Sequence, residues 1–159
     1  MNKQNGELLM EKYNWNRLST LQVGKYAEYY VKMEFTLFGF EVYTTEVDDH
    51  SVDFVAKKGE GKYYEIQVKS VRTLTQYMFI QKDKFPMSDN RIVAFVYLEV
   101  GKPPKLYLIP LTEWKVGNPI LANRDYEGKK SKPEWGINLS RKNIELLNQY
   151  SFEKVILNL

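Results

Sequence analysis

The chain contains no cysteine and a single histidine in 159 residues. Without thiols it can form neither a disulfide nor a thiolate metal site, and a Cys/His zinc arrangement is excluded. The absence fits a reducing compartment, and a cytoplasmic location is the expectation. The longest apolar run, Ile92 to Leu98, is seven residues, far short of the roughly 20 that a membrane-spanning helix needs. The opening Met-Asn-Lys-Gln-Asn-Gly-Glu has no apolar core of a secretory signal, so none is expected. Also missing are a P-loop, a dinucleotide-binding glycine fingerprint and a serine–histidine or cysteine nucleophile arrangement. No internal repeat or long low-complexity stretch interrupts the chain.

What is present suits one folded domain spanning residues 1–159. Apolar residues make up 43% of the chain and aromatic residues 14%, enough for a sizeable core. The net charge of +3 and pI near 8.9 permit a polyanionic partner without requiring one. Residues 1–18 read as a polar, irregular arm. Ser19 followed by Gln22 is a capping-box pattern, and it predicts a helix from about 20 to 38 that ends at Gly39. Leu21, Ala27, Tyr30, Val31, Met33, Phe35 and Phe38 form its apolar face, with Glu28 turned to the sheet. Strands are predicted at 41–45, 52–57, 63–71, 91–100 and 106–111, the fourth as the central one. Residues 77–81 form a short apolar segment. Residues 116–135 read as a long loop, 140–150 as a short helix with Ile144 and Leu147 on one face, and 152–159 as a closing apolar segment.

The densest chemistry lies between Val52 and Ser70. Asp53 begins one apolar strand, a glycine-bearing turn at Gly59-Glu60-Gly61 follows, and the next strand carries Glu65, Gln67 and Lys69 at alternate positions. Strand side chains alternate faces, so those three share a face while Ile66 and Val68 point into a core. The hairpin brings Asp53 toward the same polar face. Two carboxylates, an amide oxygen and an ammonium then converge, a donor set suited to a hard cation.

These residues resemble the PD-(D/E)XK nuclease superfamily, in which an Asp ends one strand, a (D/E)-X-K tripeptide follows on the next, and a Glu often sits on a preceding helix. Asp53 matches the Asp, Gln67-Val68-Lys69 the tripeptide with Gln in place of the acid, and Glu28 the helix Glu. The Gln-X-Lys core is similar to that of a bacterial subgroup. The likeness covers about residues 19–100. It implies an α/β restriction-endonuclease-like fold, a central mixed β-sheet flanked by helices. It further implies a Mg²⁺- or Mn²⁺-dependent DNA endonuclease. Asp53, Gln67, Lys69 and Glu28 would be its catalytic residues, and Asp53, Glu65 and Gln67 the metal ligands.

Arg72, Lys82 and Lys84 follow the motif strand and are the candidates for contact with DNA. Lys57, Lys58, Lys129, Lys130 and Lys132 are further cations of the kind that contact phosphate. His50, beside Asp48 and Asp49, sits in an acidic loop. A homodimer is allowed for, and a membrane partner is not expected. The neutral Gln67 keeps a second reading open: a nuclease-fold protein that has lost catalysis and binds nucleic acid or another protein.

Overall fold

The computed structural model describes residues 3–47, 50–75 and 77–159. Helix α1 (Lys3–Lys12) replaces the irregular arm expected there, and it buries none of its residues. A 3₁₀ turn, Trp15–Arg17, then inserts Trp15 into the core. Helix α2 (Thr20–Leu37) starts as the sequence predicts. Ser19 Oγ accepts from the Gln22 N–H and Gln22 Oε1 accepts from the Ser19 N–H, closing the capping box. Its buried ridge is Val23, Ala27, Val31 and Phe35, a strict four-residue spacing that lays one narrow stripe on the sheet. Leu21 and Met33, expected on that face, are exposed instead, and Phe38 is half-buried.

The central sheet has five strands in the order β1 (Glu41–Thr44), β2 (Phe54–Lys57), β3 (Tyr63–Val71), β5 (Arg91–Tyr97) and β6 (Lys105–Pro110). All neighbours are antiparallel except β3 and β5, which run parallel with Gln67 opposite Val93. The sheet is therefore mixed; its middle strand is β3, and β5, expected to be central, lies one place along, between β3 and β6, and is apolar on both faces. Ile66, Val68, Ile92, Ala94 and Val96 pack beneath α2 and the short α4 (Phe152–Ile156). Val93, Phe95 and Tyr97 point to the opposite side.

That opposite side is covered by a second, three-stranded sheet, β4 (Tyr77–Gln81), β8 (Glu134–Asn138) and β7 (Leu121–Arg124). Here the long loop expected at 116–135 is corrected. It carries β7 and the start of β8, and the four-residue helix α3 (Glu113–Val116) precedes it. Trp114 and Trp135 anchor this layer. Their indole N–H groups donate to Gly136 O and Phe85 O, at 2.9 Å each, so both rings are buried with their polar edge satisfied. A 3₁₀ helix, Ile144–Tyr150, packs Leu147 and Tyr150 on the same side. Among the described residues no helix is long and apolar enough to cross a membrane.

Candidate active site

The β2–β3 hairpin sets the site. Asp53 stands just before β2, and its N–H donates to Ile66 O at 2.9 Å. With Phe54 opposite Ile66, the chain brings Asp53 beside Gln67. Asp53 Oδ2 accepts from the Val68 N–H at 2.6 Å and from Gln67 Nε2 at 2.8 Å. The carboxylate thus takes a strand N–H of β3 just beyond the regular β2 ladder. Charge-assisted bonds of this length fix its position tightly.

Gln67 is 5% exposed and, with Glu134, is one of two buried polar side chains among the described residues. Its Nε2 also reaches Val68 O at 3.3 Å, while its Oε1 is buried without a hydrogen-bond partner. A buried acceptor left unpaired costs about 1–3 kcal/mol, and that cost needs a reason.

Lys69, two residues on and half-buried, lies on the same face of β3 and lines a cavity of about 390 Å³ together with Ser51 and Lys84. Ser51 has φ of 54°, a left-handed conformation uncommon for a side chain-bearing residue. The structure therefore joins Asp53 to Gln67 directly and places Lys69 in the adjoining cleft.

Glu65 has a different partner. Arg91 Nε donates to its Oε2 at 2.6 Å, and Arg91 is itself held by Pro86 O and lies over the Phe85 ring. Glu28 is ion-paired with Lys25 at 2.5 Å. The Lys25 ammonium is drawn above the ordinary lysine value, first by its hydrogen bond to Glu28 and then by its attraction, with Asp53 contributing a smaller pull. Helix α2 therefore presents a cation within electrostatic range of Asp53. Neither Lys25 nor Arg91 was singled out from sequence. The three-residue spacing of Lys25 and Glu28 on one helix was the available signal.

Of the proposed DNA-contacting residues, Arg72 turns inward. Its Nη1 donates to Trp15 O and Leu18 O at 3.2 and 2.9 Å, tying the segment before α2 to the end of β3. Lys82 bonds Asn123 and Asp125 and lies over the Trp135 ring. Lys84 is exposed at the cavity. His50 is exposed, and Asp48 and Asp49 lie outside the described residues. Lys132 pairs with Asp83, and Lys57 lies over the Tyr63 ring.

No family model matches the chain, and no curated protein matches it in sequence. Solved structures do. Hjc, a Holliday junction resolvase of the hyperthermophilic archaeon Archaeoglobus fulgidus, superposes with a TM-score of 0.52 at 15% identity. The match covers 84% of this chain and 94% of the resolvase. A bacterial homing endonuclease gives a TM-score of 0.53 at 17% identity, over 88% of this chain and 93% of the endonuclease. Both are nucleases, and at such identities the likeness is one of fold. The chain has the restriction-endonuclease-like fold, a central mixed sheet flanked by helices.

Proposed function

We propose that the protein is a metal-dependent DNA endonuclease that hydrolyses phosphodiester bonds at the Asp53–Gln67–Lys69 cleft. The observation that carries this reading is the buried Gln67 Oε1, which has no partner although it belongs to a side chain bonded to a carboxylate. Turning the amide end for end would set Oε1 against Asp53 Oδ2. Two acceptors face each other stably only with a cation between them. Asp53 and Gln67 are thus the residues that fit Mg²⁺ or Mn²⁺. Among the described residues no three acidic or histidine side chains converge, yet Mg²⁺ is commonly held by one or two carboxylates with water and phosphate completing its shell. Such an ion, when bound, supplies charge neutralisation of the phosphate and a more acidic water.

The chain's own groups do the rest. Asp53, fixed by the Val68 N–H, holds negative charge at the head of β2. Lys69 offers an ammonium to the charge that builds on the scissile phosphate, or orients the attacking water. Glu28 and Lys25 act as an accessory pair, positioning water and phosphate near Asp53. The geometry gives Glu65 to Arg91, so Glu65 supports β3 and β5 in this reading and contributes least to the ion. Lys84 supplies phosphate contact.

A second reading, a catalytically silent nuclease-fold protein that binds nucleic acid or protein, is favoured by the neutral Gln67 at the position where the motif carries an acid. One experiment separates the two. Supercoiled, linear and branched DNA are incubated with the protein in Mg²⁺, Mn²⁺ or EDTA, alongside Lys69→Ala and Asp53→Asn. The nuclease reading expects cleavage only with divalent ions and its loss in both variants. No cleavage of any DNA, with no calorimetric heat of Mg²⁺ binding, would establish the silent reading.

A further inference from the structure

We propose that Phe79, on the outer face of the small sheet, is a stacking platform for an unpaired base, so that the cleft takes DNA with single-stranded character. The inference rests on the nucleic-acid reading of the same cleft and names its substrate class.

β4 is an edge strand, paired among the described residues only with β8. Its inward residue Ile80 enters the core, while Tyr77 and Phe79 point out, 37% and 47% exposed. Their rings lie side by side, with centroids 6.2 Å apart and planes 19° apart. Tyr77 is locked in place. Its hydroxyl donates to Glu134 Oε1 at 2.7 Å, and the Arg124 guanidinium sits 4.5 Å from its ring centre. The ring crosses β8 where residue 136 has no side chain, since a Cβ there would overlap the Tyr77 hydroxyl. Burial first, then the bond to Glu134, holds this phenol above the ordinary tyrosine value, so it stays neutral. Tyr77 is therefore a rigid buttress, and Phe79 is the exposed flat surface beside it.

The occupant follows from what surrounds the ring. Phe79 lines the same cavity as Lys69 and Lys84, and among the described residues no acidic side chain lines it. Neither lysine forms an ion pair among the described residues. An aromatic ring that shares a cavity with two lysines matches a base attached to its phosphates. A base inside a continuous duplex has no free face to offer, whereas one at a flap, gap or junction does.

The test is fluorescence anisotropy of the full chain in EDTA with labelled single-stranded DNA and a duplex of equal length, at matched salt. Base–aromatic stacking translates into a loss of about five- to 150-fold in affinity when the ring is removed. Phe79→Ala should lose that much on the single strand while duplex affinity changes by less than about twofold, and Phe79→Trp should retain it. A 2-aminopurine in the single strand should be quenched by the wild type and not by Phe79→Ala. Gly136→Ala, with folding verified by its melting transition, should weaken single-strand binding by displacing Tyr77. Equal effects of Phe79→Ala on both DNAs, no effect on either, or no single-strand binding by the wild type would overturn the proposal. Binding in EDTA needs no chemistry, so the two readings fail separately. Phe79-dependent binding without any cleavage retires catalysis alone. Cleavage by Phe79→Ala that matches wild type on flapped and plain duplex retires stacking alone.

Discussion

Asp53 holds the hairpin together. Its Oδ2 satisfies the Val68 N–H next to a buried glutamine, so removing the carboxylate strands a donor. Asp53→Ala should lower unfolding stability by about 1–3 kcal/mol in denaturant titrations. Asp53→Asn, which keeps an acceptor, should cost less and is the cleaner probe of activity. Gln67→Glu places a second carboxylate against the first. In EDTA its melting temperature should fall through like-charge repulsion. Added Mg²⁺ should then raise it more than it raises the wild type, because ligand binding to the folded state adds stability with affinity. An equal Mg²⁺ response in both proteins would remove Gln67 from the ligand set. The Asp53–Gln67 meeting was legible in the sequence because strand alternation and a five-residue hairpin connection are local. The Glu65–Arg91 pair was not, because it depends on the parallel register of β3 and β5, 26 residues apart.

At the scale of elements, α2 shows which parts of a helix carry energy. Phe35 is fully buried, with its ring against Phe40, Phe54 and Phe152. Phe35→Ala should cost about 3–5 kcal/mol, Ser19→Ala about 1 kcal/mol through the lost cap, and Leu21→Ala less than about 0.5 kcal/mol because Leu21 is 86% exposed. Chemical denaturation of the three variants gives this order directly. The start of α2 was readable from Ser19 and Gln22, and β5 from its unbroken apolar run. The small sheet was not readable. β7 is four residues and β8 five, both border a lysine-rich stretch that carries Gly128 and Pro133, and β4 pairs with β8 across more than fifty positions of chain. Nothing local distinguishes such strands from loop, and Ile80, Leu121 and Ile137, together with Trp114 and Trp135, hold them on the core.

The whole molecule has two cores, one on each face of the central sheet, and a tyrosine in or beside each reports on them through pH. Tyr30, packed against the α2 side, is pushed up to about 12 by burial and, less, by Glu34. Tyr150, on the opposite side, is pushed up to about 12 by burial and by its hydrogen bond to Glu113. In the unfolded chain these phenols release their protons near the ordinary 10.0, while the folded protein keeps them. Between those values the unfolded state binds fewer protons, so stability should be level below pH 10 and fall from pH 10 toward pH 12. Thermal melts across that window should show the decline, and it should be shallower in Tyr30→Phe and Tyr150→Phe.

Helix α1 ends at Lys12 with no residue buried, whereas three residues later Trp15 is sealed, its indole N–H bonded to Glu99 O and its carbonyl held by Arg72. A protease meeting the native protein therefore finds a susceptible leader and then a hard stop. Trypsin at low dose should cut after Lys12 and leave a resistant fragment beginning at Tyr13. Mass spectrometry would identify that fragment, and its tryptophan emission and unfolding midpoint should match those of the uncut chain.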